Sequence, residues 1–318
     1  MTLEHAASPE QSASLEHRAF LYGGMEDFLS VTVPWLREGV EADEAVIVVV
    51  QRPGLDALRD ALAPYGQKVQ YADSAEFYLH PVRTLRDYQG IVEQSKPRSV
   101  RALAEPVWRG QDERQTLEWV RYESLINAAF AQSGARALCP YDRTALPPAI
   151  VEQARLTHPK LVGGRGTTHE NGSYLDPVAF GNGCDASLAF DRPRDAEYLP
   201  ITGADLHELR TFVGDRAAAH GLDTQAARSL VTAANEVAAN AVRHGIPPMG
   251  LWLWRERGDV VCEIGDNGYW RPGPLTGFIP PDSALQRGFG LWTVRLLVDL
   301  MELRAGWDGT FVRLHVHR

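Results

Sequence analysis

The chain has 318 residues, 44% hydrophobic and 23% charged, enough for two domains with cores of ordinary size. Its 41 acidic residues outnumber its 32 basic ones, and this net charge of -9 argues against a phosphate-neutralising surface as the main function. No apolar run approaches the roughly 20 residues of a membrane-spanning helix, and three cysteines (Cys139, Cys184, Cys262) without paired spacing fit a reducing compartment. A cytoplasmic protein with no membrane and no direct nucleic-acid partner is expected.

Residues 1–16 read as a flexible tail without the charged-then-apolar layout of a signal peptide. From His17 onward, helical and strand patterns alternate. Residues 25–39 are amphipathic, and 45–50 form a continuous apolar, mostly β-branched run suited to a buried strand. A helix over 55–64, a short strand over 69–71, longer helices over 83–94 and 113–132, and a strand over 136–141 follow. Strands separated by helices predict an α/β domain with a parallel, RecA-like sheet over residues 17–180. Gly, Asp, Arg and Pro then break the periodicity over 181–200, which reads as a linker.

The second domain, residues 201–318, opens with helices over 205–220 and 224–243, separated by the stop-and-start signal Gly221-Leu222-Asp223. Strands over 249–255 and 259–264 are joined by Glu256-Arg257-Gly258. A helix over 290–299 and strands over 301–304 and 310–316 complete the chain. This order predicts an α+β two-layer sandwich, with helices on one face of a mostly antiparallel sheet.

Four ordered signals in this domain carry chemistry. Glu236 and Asn240 are four residues apart, so on a helix they lie on one face. A carboxylate and an amide placed that way can orient a hydroxyl and hold a hard cation through oxygen. Alone, the pair is an ordinary polar stripe. Asp266-Asn267-Gly268 follows an apolar strand, where a carboxylate can accept a hydrogen bond from an exocyclic amine and glycine permits close approach to a ring. Alone, it is a turn. Gly288-Phe289-Gly290-Leu291 introduces a helix whose exposed N–H groups suit phosphate, or is a plain helix entry. Gly309-Thr310 starts the last strand and offers a hydroxyl beside the aspartate.

Together these motifs resemble the ATP-binding module of the GHKL superfamily, the Bergerat fold of gyrase, Hsp90, histidine kinases and MutL. Asn-Glu-x-x-x-Asn-Ala-x-x-His-Gly (235–245) and Arg-Gly-x-Gly-Leu-Trp-x-Val-Arg (287–295) most resemble anti-sigma-factor serine kinases. By that resemblance Glu236 is the general base, Asn240 a Mg²⁺ ligand and Asp266 the adenine reader. His244, Gly268, Arg287, Gly288, Gly290, Leu291 and Thr310 complete the ATP-binding set. The first glycine box departs from the pattern, with Tyr269-Trp270 where a second glycine is usual.

The first domain resembles the MEDS sensory domain through His17 with Leu21-Tyr22, Gly39, Glu105, Glu123, the run 137–142 and His158-Pro159. His17, Glu105, Glu123, Cys139 and His158 are its candidate sensory residues. A small-molecule pocket at the strand C-terminal ends is the favoured reading. A metal or haem site at His17, Cys139 and His158 is the alternative to structural histidines and a structural cysteine. Trp35, Trp108 and Trp119 suit pocket lining or core packing. The stretch 163–168 lacks the lysine of a phosphate-binding loop and reads as a structural loop.

The resemblance implies a sensory anti-sigma factor using Mg·ATP to phosphorylate a STAS-domain antagonist while sequestering an alternative sigma factor. A homodimer fits such domains, although no heptad marks one. One alternative is an ATP-binding, sigma-sequestering module without phosphotransfer. Another is a histidine kinase acting on His207 within His207-Glu208-Leu209-Arg210-Thr211-Phe212. That option is disfavoured because His207 lies 29 residues before Glu236, too few for two long helices, and Phe212 stands where Pro is usual.

Overall fold

The computed structural model describes residues 14–187, 191–203, 205–280 and 290–318. Two compact units form: residues to 78 with 87–109 and 126–175 make the first, and 79–86 with 110–125 and 176–318 make the second.

The first unit is built on a seven-stranded sheet. Its strands are β1 (Glu16–Tyr22), β2 (Ala45–Val50), β3 (Val69–Asp73), β4 (Val100–Ala104), β5 (Arg136–Asp142), β6 (Lys160–Val162) and β7 (Thr168–Glu170), in the order β3-β2-β4-β5-β1-β6-β7. All pairs are parallel except β6 with β7. The expected all-parallel sheet therefore gains an antiparallel edge. The 163–167 connection closes through Gly163 N–H to Thr167 O at 2.8 Å, and is far too short for the crossover that a parallel partner needs. The stretch 163–168 is the turn of that hairpin.

Valine and isoleucine at 46–50 are buried throughout, as a strand covered on both faces requires. α1 (Met25–Glu41) and α2 (Gly54–Ala61) place Phe28, Val31, Leu36, Leu55 and Leu58 in the same core as Phe20, Val48, Leu103 and Leu138. Helices α3 (Ser74–Phe77), α4 (Pro81–Ser95), α5 (Glu113–Ala129) and α6 (Pro148–Thr157) follow along the chain. β1 begins at Glu16, and residues 1–13 of the expected tail lie outside the described residues.

The second unit holds a five-stranded antiparallel sheet. Its strands are β8 (Glu197–Ile201), β9 (Met249–Glu256), β10 (Asp259–Asp266), β11 (Leu300–Gly306) and β12 (Gly309–His317), in the order β11-β12-β10-β9-β8. Three helices, α8 (His207–Ala219), α9 (Thr224–His244) and α10 (Gly290–Leu297), close the core, with Leu230, Ala234, Val237, Ala238 and Ala241 of α9 meeting Leu251, Val260, Ile264 and Leu314.

Two elements extend into the stretch 181–200 read as a linker. α7 (Pro177–Ser187) buries Phe180 and Cys184, four residues apart, although Gly181 and Gly183 weaken the helical signal. β8 is an edge strand of five residues, too few for its alternation to stand out in the sequence.

The other sheet face is charged yet buried. Glu263, Arg313 and Glu302 lie opposite one another across β10, β12 and β11. Arg313 donates to Glu263 through Nε at 2.9 Å, and its Nη2 lies 2.7 Å from Glu263 Oε2. Nε2 of His315 is 2.9 Å from Glu302. Removing one partner from such a network strands a buried charge, which is strongly destabilising.

Candidate functional site

A cavity of about 770 Å³ opens in the second unit between α9, the C-terminal end of β10, the 268–280 segment and α10. Glu236, Asn240, His244, Asp266, Gly268, Gly290, Leu291 and Thr310 line it, with Tyr269 and Trp270. Arg287 and Gly288 lie outside the described residues.

α9 begins where Asp223 caps it by accepting from Ala226 N–H at 2.8 Å. The helix then runs unbroken for 21 residues, and its period sets Glu236 and Asn240 one turn apart on the cavity side. Gly290, the first residue of α10, sits against both. A Cβ there would approach Glu236 Oε1 to 2.6 Å and Asn240 Nδ2 to 3.1 Å, so any larger residue would push these two side chains from their places. Asn240 Oδ1, the oxygen a hard cation would take, accepts from Arg243 Nη1 at 3.1 Å, so cation binding there exchanges one partner for another.

Asp266 ends β10 and is 6% exposed. Its Oδ1 accepts from Gly268 N–H at 2.6 Å and Ile246 N–H at 3.2 Å, and leaves Oδ2 as the oxygen available to a ligand. Thr310, opposite Asp266 in the β10–β12 register, donates to Gly268 O at 3.1 Å. Asn267 N–H donates to Ile246 O at 2.8 Å. The loop after the helix and the loop after the strand are thereby tied around one carboxylate. Gly245 and Gly268 permit this, since a Cβ at either would come within 2.6 Å of Asp266 side-chain atoms.

Sequence reasoning marked Tyr269-Trp270 in the glycine box but missed Trp307 beside it and the 273–280 segment. Tyr269 stacks on Trp307, at 4.4 Å between centroids and 26° between planes, and Trp307 is 87% exposed on the β11–β12 turn. Gly273, Pro274, Leu275, Thr276, Gly277, Ile279 and Pro280 form another wall. Behind it Phe278 lies under the guanidinium of Arg295 at 4.0 Å. His207 is exposed at the first turn of α8, which has only 13 residues.

The candidate sensory residues fall in separate places. Glu105 directly follows β4 and accepts from Gln51 N–H, which directly follows β2, at 2.8 Å. β2 connects outward to β3 and β4 in the opposite direction to β5, so this is a topological switch point, where open α/β sheets form ligand crevices. Burial pushes the Glu105 carboxyl up to about 7, with nearby Asp142 adding to the rise. Tyr22 is also raised, chiefly by burial, with Glu105 and Asp142 contributing.

His17, Cys139 and His158 instead meet inside the first unit, with ligand atoms within 4.8 Å of one another. Burial lowers His158 to about 4, so its imidazole is neutral. Glu123 is buried on α5 (Glu113–Ala129), within the segment assigned to the second unit. Trp108 is buried and stacks on Tyr141 at 6.1 Å, and Trp119 is buried against Tyr122 at 5.3 Å. Trp35 lies under the Arg101 guanidinium at 4.8 Å. Among the described residues no helix is long and apolar enough to cross a membrane.

Residues 16–159 match the family model described as MEDS, the MEthanogen/methylotroph, DcmR Sensory domain. Residues 199–316 match the Histidine kinase-like ATPase domain. No curated protein matches the chain. Similar solved structures include the RsbU and RsbW domains of Rv1364c from Mycobacterium tuberculosis, 21% identical over 38% of this chain and 32% of that one, with a TM-score of 0.29. The chain thus spans about a third of that solved chain. The mycobacterial sensor histidine kinase MprB is 18% identical over 38% of this chain and 97% of that one, with a TM-score of 0.26. The histidine kinase domain of the E. coli osmosensor EnvZ is 18% identical over 40% and 91%, with a TM-score of 0.24.

Proposed function

We propose that this chain, a MEDS domain followed by a histidine kinase-like ATPase domain, is a sensory anti-sigma factor that phosphorylates a serine or threonine of a STAS-domain antagonist. The observation that carries the reading is the cavity in which Glu236 and Asn240 share one helix face across from Asp266 and beside Gly290. Adenine would enter toward Asp266 Oδ2, with Gly268 and Thr310 along its edge. The phosphates would lie toward Gly290 and Leu291 at the N-terminus of α10, since the first N–H groups of a helix favour anions.

Glu236 would then take the proton of the antagonist's hydroxyl as that oxygen bonds to the γ-phosphorus and the β–γ bridging P–O bond breaks, releasing ADP. Mg²⁺, held through Asn240 with phosphate oxygens, would supply charge neutralisation during transfer. Phosphorylation would release the antagonist and leave the sigma factor held. The first unit would bias this switch through ligand affinity that differs between its states.

A second reading, ATP and partner binding without transfer, is favoured by one feature. Tyr269-Trp270 lines the cavity where a second glycine is usual in the box, and Tyr269 stacks on Trp307.

The test is incubation of the full chain with Mg²⁺ and γ-labelled ATP, with and without STAS proteins from the same source. Acid-stable label on a STAS protein, absent with Glu236→Ala although ATP still binds, is expected. Label transferred equally by Glu236→Ala would refute the base assignment. Bound ATP with no label on any STAS protein selects the binding module. Acid-labile label on the chain, lost in His207→Ala, would mean a histidine kinase.

A further inference from the structure

Three side chains able to bind a metal come from three neighbouring strands of the first unit. His17 is on β1, Cys139 on β5, and His158 two residues before β6. In the parallel β1–β5 register His17 is opposite Ala137, and Ala19 is opposite Cys139. His17 and Cys139 therefore share one sheet face with two alanines beside them, small enough to leave room for an imidazole and a thiol. All three ligand residues are at most 3% exposed.

Their hydrogen bonds set the tautomers. His158 Nδ1 lies 2.8 Å from the Ala154 carbonyl oxygen, which only accepts, so Nδ1 carries the proton. His17 Nδ1 lies 3.1 Å from Asn127 Oδ1. Asn127 Nδ2 donates to Thr157 O at 2.8 Å, which fixes the amide's orientation and makes Oδ1 the acceptor from His17. With Nδ1 of each ring held by an oxygen, Nε2 is the nitrogen each could offer a metal, and His17 Nε2 is 3.4 Å from Cys139 Sγ. The two rings lie 4.0 Å apart. Metal-bound histidines have this arrangement, with one ring nitrogen for the ion and the other N–H held by an oxygen. Histidines that merely fill a core need neither the shared tautomer nor a thiol at the same point.

We propose that His17, Cys139 and His158 bind a divalent transition metal of the class that prefers nitrogen and sulfur donors, with zinc as the first choice. Two imidazoles and a thiolate select zinc, cobalt or copper over magnesium or calcium, which take oxygen. On binding, Cys139 gives its Sγ proton to solvent, and the sulfur electron pair goes to the ion. Asn127 is a positioning residue that acts through His17. This site is independent of the nucleotide cavity, so failure of either reading leaves the other standing.

The probe is Co²⁺ alone, added to the untagged full chain after chelation. One equivalent should bind and give a thiolate-to-cobalt charge-transfer band with the visible bands of a tetrahedral site, and Zn²⁺ should bleach both. Cys139→Ser, nearly isosteric, should abolish the charge-transfer band with its far-ultraviolet circular dichroism unchanged. Asn127→Ala should keep the band and weaken binding about ten- to a hundredfold. Absence of a thiolate band in the parent protein would overturn the proposal, and this measurement needs no variant to fold. A band that persists in Cys139→Ser would also overturn it.

Discussion

Asp266→Asn changes one atom of the proposed nucleotide cavity and leaves its shape alone. In the parent side chain Oδ1 accepts from the Gly268 and Ile246 N–H groups at 2.6 and 3.2 Å. Those two donors hold an asparagine amide with its oxygen on the same side, so the NH₂ group replaces Oδ2. Where the proposed adenine amine met an acceptor, it now meets a donor. Losing a hydrogen bond to a charged group costs about 1.5–3 kcal/mol, and leaving the facing donors unpaired adds about 1 kcal/mol or more. Together about 2.5–4 kcal/mol corresponds to ATP binding weakened roughly 10²–10³-fold. GTP, with a carbonyl at the equivalent ring position, should lose less, so the ATP preference narrows. The backbone bonds persist to a neutral oxygen, and the melting temperature should fall by only a few degrees. Calorimetric titration with both nucleotides, paired with thermal denaturation, reads all three quantities. ATP affinity within threefold of the parent in a protein that melts normally would refute the assignment of Asp266 as the adenine reader.

Two further outcomes follow from buried charge. Burial raises Glu105 from an ordinary 4.5 to about 7, so the folded chain holds this proton more tightly than the unfolded one. Its contribution is fully present below pH 4.5 and is lost as pH rises through 7, a change of about 3 kcal/mol. Glu105→Gln keeps an acceptor for Gln51 N–H without the charge, so denaturation between pH 4.5 and 8 should show a flatter profile and greater stability at pH 8. Parallel profiles for variant and parent would contradict the burial argument. In the second unit, Arg295 is 3% exposed and ion-paired with Glu118, and it donates to Met301 O at 3.2 Å. Glu118→Ala should destabilise by about 3 kcal/mol because it strands a buried guanidinium, and Glu118→Ala with Arg295→Met should recover much of the loss. An urea midpoint for Glu118→Ala equal to that of the parent would show the pair to be solvated.

What could be read from the chain was local. The four-residue spacing of Glu236 and Asn240, the apolar run ending at Asp266 and the β-branched stretch 46–50 each state a period or a boundary within one element, and the helices and strands stand close to where those patterns put them. The strand over 168–170 and the helix over 177–187 escaped because three residues, or a helix diluted by two glycines, carry too little pattern. For the site, the residue types were legible but their distances were not. The stack of Tyr269 on Trp307 joins side chains 38 positions apart (307 − 269), and nothing in either neighbourhood announces the other.

By itself, then, the amino-acid order determined element types, the two fold classes and the ordered motifs of the ATPase domain, because hydrophobic period and glycine placement act over a few residues. Only the tertiary structure decided that β1 enters the sheet between β5 and β6, which brings His17 to Cys139 across 122 residues, and that Gly245, Gly268 and Gly309 close around Asp266. Strand order and close backbone approach are settled by how whole elements bury their faces against one another, a global balance that no short stretch of sequence contains.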